Sequence, residues 1–184
     1  IRITLMSNPL ISKKIFKKSK WLSLAEKKIS FNGIKIEKYH SIIIHDYVVV
    51  LAKTPSDKIP IVRQYRPAIE KKTWEFPAGL LDKKVSSKKI AINELREEAR
   101  LDSIKITKLG STYADPGKLN CKIHMYFAEC YEPNFKYKSE DNLSVKFVNK
   151  IELKKMILKN QIFAMHVSLI CFGKLRKIKW FDEF

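Results

Sequence analysis

The segment from Ser87 to Arg100 constrains the fold most, because its apolar residues recur at the spacing of an amphipathic helix. Its acidic residues keep the same period. Glu94, Glu97 and Glu98 stand at i, i+3 and i+4, which places three carboxylates on one helix face. Hard divalent cations such as Mg²⁺ prefer oxygen ligands of this kind and recruit further oxygens from phosphate groups. Taken alone, the triplet is open to two interpretations, a metal site and a solvated acidic face, and the second is the commoner.

Strand patterns surround this helix. Trp21–Phe31 and Ile34–Tyr39 flank Asn32 and Gly33, a strong hairpin signal. Ile42–Ala52 is rich in β-branched residues and predicts one buried strand. Further strands are predicted at Ile59–Tyr65, Trp74–Phe76, Ile104–Thr112, Lys122–Cys130 and Leu143–Asn149, and further helices near Ile151–Ile157 and Ala164–Leu175. Strands before, between and after helices predict a mixed α/β fold.

Length and composition limit the class of protein. The 184 residues suit one domain, and 45% hydrophobic residues are enough to build a core. The longest apolar stretch is broken by His45 and Asp46 and is far shorter than the ~20 residues of a membrane span, so no membrane partner is expected. Three cysteines without CxxC spacing argue against a disulfide framework or a zinc site. An intracellular, cytoplasmic location is expected, with organellar import left open.

The charge has two explanations. Lys and Arg number 37 against 19 Asp and Glu, a formal net charge of +18. Such an excess favours polyanionic partners such as RNA or a ribonucleoprotein. A lysine-biased proteome would give the same excess without any partner. The first 25 residues hold six basic residues and no acidic one, which fits a transit peptide, a nucleic-acid-binding tail or a solvated terminus.

A longer pattern gives the acidic helix a context. The block Glu75-Phe-Pro-Ala-Gly79, a spacer, and Asn93-Glu-Leu-Arg-Glu-Glu98 resembles the signature of the Nudix hydrolases. Three positions depart from the family's box: Val85 replaces the first Glu, Asn93 the Arg, and Arg100 the final Gly.

The resemblance extends well beyond this box. Ile61-Val-Arg-Gln-Tyr-Arg-Pro-Ala68 resembles the ADP-ribose and ADP-sugar pyrophosphatase branch of the family. Asp115-Pro-Gly-Lys-Leu-Asn-Cys-Lys-Ile-His124 and Ser19-Lys-Trp-Leu-Ser-Leu24 resemble further segments of that branch. Several separated blocks in the right order are more specific than one motif. The resemblance implies a Nudix fold, a mixed β-sheet sandwiched between helices, with an N-terminal antiparallel strand pair.

The resemblance also implies a reaction, hydrolysis of the diphosphate of ADP-ribose or a related ADP-sugar to AMP and a sugar phosphate. Its cofactor would be Mg²⁺ or, alternatively, Mn²⁺. The implied metal ligands are Glu94, Glu98 and the backbone carbonyl of Ala78, with Glu97 beside them as a catalytic group. Glu98 is both ligand and catalytic residue in this assignment. Glu75 belongs to the substrate-binding set and reaches the ions through water.

The remaining implied roles concern substrate. Trp21 and Tyr39 match aromatic positions that sandwich adenine, and Arg66 matches an arginine that contacts the diphosphate. Asp115 falls where the terminal ribose is held. Glu140 or Asp141, from a late loop, is the candidate base or water-positioning group, with an ordinary polar loop as the equally open alternative. The four histidines show no metal-ligand spacing and are expected to pack or form surface hydrogen bonds.

Two hypotheses for the whole chain follow. One is a Mg²⁺-dependent ADP-sugar pyrophosphatase with a weakened site, since the lost box positions support ligands rather than supply them. The other is a catalytically impaired Nudix-fold protein that serves as a basic RNA- or ribosome-binding structural subunit. In both, residues 1–20 form a basic extension, residues 21–41 form strands expected to build a homodimer, and residues 42–184 form the Nudix domain.

Overall fold

A computed structural model describes residues 9–31, 33–82, 84–135 and 143–184 of the chain. The strands are β1 Leu10–Lys17, β2 Leu22–Phe31, β3 Ile34–Ile44, β4 Tyr47–Lys53, β5 Ile59–Arg66, β6 Lys71–Glu75, β7 Ala78–Leu80, β8 Ser103–Tyr113, β9 Leu119–Asn120, β10 Lys122–Cys130 and β11 Ser144–Val148. The helices are α1 Ser87–Ala99, α2 Lys150–Leu158 and α3 Ala164–Leu175. Two compact units result, here called the N-terminal unit (residues 1–45 and 113–122) and the C-terminal unit (residues 46–112 and 123–184).

The N-terminal unit is built on one four-stranded sheet in the order β1-β2-β3-β9. Strands β2 and β3 form the predicted antiparallel hairpin, and Phe31 pairs with Ile34 at its tip. Gly33 has a φ of +78°, a conformation that glycine adopts without steric cost. Asn32 lies outside the described residues. The hairpin prediction is confirmed.

Strand β1 was not predicted. It pairs antiparallel with β2, so part of the expected N-terminal extension belongs to the sheet. All eight of its residues are exposed, including Ile11 and Ile15. A strand that buries neither face has no apolar alternation by which sequence alone could identify it.

The C-terminal unit contains two sheets, in the orders β7-β4-β10-β8 and β11-β5-β6. Strand β4 is central and runs parallel to β10. Val49 and Leu51 of β4 belong to one core cluster, which α2 and α3 also line. Val48, Val50 and Ala52 belong to a second cluster, which α1 lines. Burial on both faces explains why β4 is continuously apolar.

The prediction of one strand over Ile42–Ala52 was wrong. The stretch forms the end of β3 and most of β4, which lie in different sheets. Two polar residues separate them, and the carbonyl of Asp46 accepts a hydrogen bond from the N–H of Leu81 at 2.7 Å. An apolar run predicts burial but does not show which sheet each half joins. The other predicted strands and helices are present, with ends shifted by a few residues.

Candidate active site

Helix α1 carries the predicted carboxylates and is fixed at its start. The side chain of Ser86 caps it by accepting from the N–H of Lys89 at 3.3 Å. Ala91 and Leu95 are fully buried, which anchors one face of the helix in the core. The glutamates therefore project from a rigid element, as a binding site requires.

Glu98 is held against strand β7. The residue is 4% exposed, and its Oε2 accepts a hydrogen bond from the backbone N–H of Ala78 at 2.9 Å. Ala78 is the residue whose carbonyl was predicted as a metal ligand. Sequence positions twenty residues apart are thus brought into direct contact.

Glu94 reaches the same strand one residue further on. A Cβ built on Gly79 would lie 1.9 Å from Oε1 of Glu94, which is impossible without movement. Only the absence of a side chain at position 79 lets this carboxylate lie against the backbone of β7. Gly79 therefore shapes the site through steric room rather than through a special backbone angle.

Glu97 differs from its two neighbours on the helix. It is exposed, whereas Glu94 is half-buried and Glu98 is buried. In the described parts of the chain, no three or more His, Cys, Asp and Glu side chains are grouped so as to hold a metal ion. The structure thus brings together Glu94, Glu98 and Ala78, with Glu97 at the solvent side.

This donor set still suits a hard cation. Mg²⁺ in proteins is commonly held by one or two carboxylates and completes its shell with water and substrate phosphate oxygens. Two carboxylates at one strand, next to a backbone carbonyl, meet that requirement without a third acid. The residues present therefore fit a divalent ion that binds together with a phosphate-bearing substrate.

Arg66 and Glu75 form a bidentate ion pair across strands β5 and β6. Nε of Arg66 donates to Oε1 of Glu75 at 2.8 Å, and its Nη2 donates to Oε2. Thr73 donates a further hydrogen bond to Oε1 at 2.5 Å. Burial alone would raise the pKa of Glu75, but the hydrogen bonds from Arg66 and Thr73 outweigh it and the pKa is lowered. Glu75 is therefore a fixed anion.

The ion pair with Glu75 leaves part of the Arg66 side chain exposed to solvent. Its hydrogen bonds to Glu75 raise the pKa of the guanidinium, so it stays charged. Its side chain is 43% exposed, whereas that of Glu75 is 4% exposed. A guanidinium oriented by a buried carboxylate is suited to bind a phosphate with its exposed edge.

His166 of α3 was expected to pack or to form surface hydrogen bonds. It is a buried residue that contacts Phe76 and lies next to Glu75. It is fully buried, and its Nδ1 accepts from the N–H of Phe76 at 3.2 Å. Its Nε2 lies 3.9 Å from Oε2 of Glu75 and makes no hydrogen bond among the described residues. Burial lowers its pKa to about 4, against the opposing effect of Glu75, so the ring is neutral near pH 7. No sequence pattern pointed to this contact, because 90 residues separate the two partners.

The three departures from the box have different surroundings. Val85 is 45% exposed and Asn93 is half-buried. Arg100 ends α1 in the left-handed conformation, with φ +58° and ψ +33°. The N–H of Leu101 bonds back to the carbonyl of Leu95 at 2.9 Å, which completes the C-terminal turn. The helix therefore ends in the left-handed conformation that glycine favours, although the residue at this position is arginine.

The N-terminal unit holds three of the predicted substrate residues. Trp21 is 45% exposed and meets the ring of His45 edge-on at 6.0 Å. Tyr39 donates its hydroxyl to the carbonyl of Gly117. Oδ1 of Asp115 accepts from the N–H of Gly117 at 3.0 Å, so Asp115 shapes the turn before β9. Their roles in binding substrate stay predictions.

The late-loop candidates Glu140 and Asp141 lie outside the described residues. Within the described segments, no helix is both long and apolar enough to cross a membrane.

Comparison with known sequences finds relatives that are named as an ADP-ribose pyrophosphatase and as a Nudix hydrolase. The chain is 38% identical over 82 residues to the ADP-ribose pyrophosphatase of Bacillus subtilis, which covers 45% of this chain and 44% of that protein. It is 30% identical over 125 residues to an uncharacterised Nudix hydrolase of Schizosaccharomyces pombe, covering 65% of this chain and 61% of the relative. The matches thus span about half the length of these curated relatives. No protein-family model matches the chain.

Comparison with solved structures covers the chain almost completely. The crystal structure of an ADP compounds hydrolase superposes with a TM-score of 0.78 at 17% sequence identity. The match includes 98% of this chain and 99% of the other. At this identity the likeness establishes the fold, and the expected α/β architecture is confirmed.

Proposed function

Since the chain is a Nudix-fold protein that resembles ADP-ribose pyrophosphatases in sequence, we propose that it hydrolyses the diphosphate of a nucleoside diphosphate derivative. The observation that carries the proposal is the meeting of Glu94 and Glu98 with Ala78 and Gly79 at strand β7. A solvated acidic face would leave these carboxylates in water. Here one is buried on a backbone N–H and the other lies over a glycine.

The cofactor of this proposal is a divalent cation, with Mg²⁺ as the first choice and Mn²⁺ as the alternative. Glu94, Glu98 and the carbonyl of Ala78 would hold it. When bound, such an ion neutralises charge on the diphosphate and favours attack by water. Glu98 is oriented for this task, because the Ala78 N–H fixes one of its oxygens.

The ion pair of Arg66 and Glu75 supplies the proposed phosphate contact. Glu75, held by Thr73 and Arg66, keeps the guanidinium fork in place. The exposed part of Arg66 then binds a diphosphate oxygen without first losing side-chain freedom. Phe76, whose N–H is bonded to His166, links this pair to Ala78 along the chain.

ADP-ribose or a related ADP-sugar is the proposed substrate class. The names of the relatives support this choice, as does the sequence resemblance around Arg66 and Glu75. Trp21 and Tyr39 are proposed to stack on adenine, Asp115 to hold ribose, and Glu97 with Glu140 or Asp141 to act on the attacking water. Residues 21–41 are proposed to take part in a homodimer.

The test is AMP release from ADP-ribose in the presence of Mg²⁺. The decisive variant is Glu98→Gln, because the amide oxygen can still accept from the Ala78 N–H while the charge is lost. A metal ligand contributes several kcal/mol to transition-state stabilisation, so turnover should fall by about 100-fold or more. Glu129→Gln, which removes a carboxylate that pairs with Lys53 at 3.8 Å, is the control and should keep full activity.

Two results would contradict the proposal. One is the absence of turnover on ADP-ribose and a small panel of dinucleotides and nucleoside diphosphate sugars with either metal. The other is turnover that persists in the folded Glu98→Gln variant. Neither the names of the relatives nor that of the structural neighbour supports the alternative, a catalytically impaired RNA- or ribosome-binding subunit.

A further inference from the structure

We propose that the N-terminal unit carries a binding surface for single-stranded nucleic acid, formed by lysines and Tyr39 on one face of its sheet together with Lys118 and Tyr113 next to them. This surface shares Tyr39 with the proposed adenine site, whereas its lysines and Tyr113, which the test changes, have no role in the proposed hydrolysis. The positive charge is unevenly distributed between the two units, although lysines occur along the whole chain.

The N-terminal unit holds half of the net charge in about a quarter of the described residues. Its described part has eleven lysines against three carboxylates, a net charge of +8. The described part of the C-terminal unit has twenty-two basic against fourteen acidic residues. Its net charge is also +8, but it is spread over more than twice as many residues. The charge density of the smaller unit is therefore roughly threefold higher, which a uniform bias toward lysine does not explain.

Strand register places several of these lysines on one face. Lys13 of β1 pairs with Lys27 of β2, and Lys27 pairs with Tyr39 of β3. Residues paired directly across strands project to the same side of a sheet. Lys13, Lys27 and Tyr39 thus form a row across three strands. Lys17 follows Lys13 by four residues in β1, so its side chain projects to the same face.

The loop before β9 extends this row. Nζ of Lys118 lies 5.4 Å from the centre of the Tyr39 ring, and Nζ of Lys27 lies 5.9 Å from it. Tyr113 is 45% exposed, and Nζ of Lys122 lies 5.7 Å from its ring. Residues of this group, with others of the unit, line a cavity of about 200 Å³: Lys27, Tyr39, Ser41, Tyr113, Pro116 and Lys118 among them.

The acidic residues of the unit do not neutralise this row. Glu37 pairs with Lys28 at 2.8 Å, and Glu26 contacts His40 at 3.4 Å. Asp115 accepts from a backbone N–H in its turn. Among the described residues, neither Lys13 nor Lys118 forms an ion pair with a carboxylate.

Lysines interleaved with accessible aromatic rings are the composition of single-strand binding surfaces, and here Tyr113 is exposed and Tyr39 half-buried. The ammonium groups contact successive phosphates, and bases stack on the rings without sequence preference. A membrane surface would need the charges alone, and a duplex would keep its bases from the rings. The two tyrosines beside the lysines therefore favour a single strand.

The test is fluorescence anisotropy of the full chain with a labelled single-stranded RNA of about 12 nucleotides, from roughly 50 to 200 mM salt. Affinity should fall steeply with salt. Replacing Lys13, Lys27 and Lys118 together by Gln should reduce the slope of log K against log salt by about 2, since each phosphate contact on a single strand contributes about 0.7. Affinity near 100 mM salt should fall about tenfold or more.

Two controls distinguish binding at this surface from a non-specific effect of the net charge. Lys105, Lys108 and Lys155, all exposed in the C-terminal unit, are replaced by Gln in a variant with the same net charge, which should lose less than about threefold. Tyr113→Ala should weaken binding about fivefold or more, whereas Tyr113→Phe, which keeps the ring, should bind normally.

Four outcomes would overturn the proposal: no RNA binding, equal losses in the two triple variants, equal or tighter binding of a duplex, or binding of phosphatidylserine vesicles without binding of RNA. Because AMP release is measured separately, failure of this proposal leaves the proposed hydrolysis untouched, and the reverse also holds.

Discussion

Gly79 is the residue on which the geometry of the candidate site most depends. Its missing side chain admits the Glu94 carboxylate, with an added Cβ only 1.9 Å from Oε1. Because Glu94 is a flexible side chain, Gly79→Ala should fold and displace the carboxylate rather than the backbone. We expect AMP release to fall by about 10-fold or more, while the unfolding midpoint changes little.

A double-mutant cycle tests whether the effect of Gly79→Ala passes through Glu94. Glu94→Gln alone should abolish most activity, and adding Gly79→Ala to it should cost little more. Two full, additive losses would show that Gly79 matters for another reason. Gly110→Ala is the matched glycine control, since its Cβ would meet Phe172 at 3.1 Å, away from the carboxylates.

His166 should make stability depend on pH. Its folded pKa of about 4 lies below the ordinary 6.5, because burial disfavours the charged ring. Between these values the unfolded chain binds a proton that the folded chain does not, so the free energy of unfolding falls as the pH falls. From pH 7 to pH 5 the loss should be about 2 kcal/mol.

Urea unfolding at the two pH values measures this loss. His166→Gln should show a smaller decrease, because its amide does not titrate, whatever its stability at pH 7. His40→Gln, at an exposed histidine, should keep the full decrease. A loss as large in His166→Gln as in the parent protein would exclude His166 as its source.

At the scale of elements, the end of helix α1 carries strain that its sequence reveals. Arg100 adopts the left-handed conformation, which costs a residue with a Cβ roughly 1–2 kcal/mol. Arg100→Gly should therefore be more stable than Arg100→Ala by about 1 kcal/mol, since both lose the guanidinium and only one keeps the Cβ. Thermal or urea unfolding of the two variants measures the difference. Equal stabilities, or a more stable alanine variant, would contradict it.

The elements with a periodic pattern could be predicted from sequence. Helix α1 and the hairpin of β2 and β3 were predicted from apolar spacing and a turn signal, and both are present. Strand β1 could not be predicted, because all eight residues are exposed. The break near Asp46 was missed because burial on both faces of β4 hides where a strand changes sheets.

The candidate site, too, could be predicted from sequence only in part. The carboxylates of α1 were predicted because they are near one another in sequence. Their contacts were not, since the placing of Glu94 over Gly79 depends on packing between a helix and a strand. The contact of His166 with Phe76 joins residues 90 positions apart, which no local pattern encodes.

At the scale of the whole molecule, the charge of +18 should make stability rise with salt. Salt weakens ion pairs such as Lys28–Glu37, which lowers stability, and it also screens repulsion among like charges. Repulsion should win, because 37 basic residues face only 19 acidic ones and compaction brings the unpaired charges closer together.

Urea unfolding in low and moderate sodium chloride tests this balance, with a higher midpoint expected at the higher salt. The two lysine triples provide a comparison at equal net charge. The variant at Lys13, Lys27 and Lys118 should show a smaller salt effect than that at Lys105, Lys108 and Lys155, because the N-terminal unit concentrates its charge in fewer residues. A midpoint that falls with salt would mean that ion pairs outweigh repulsion. Equal salt effects in the two variants would mean that net charge, and not its placement, governs stability.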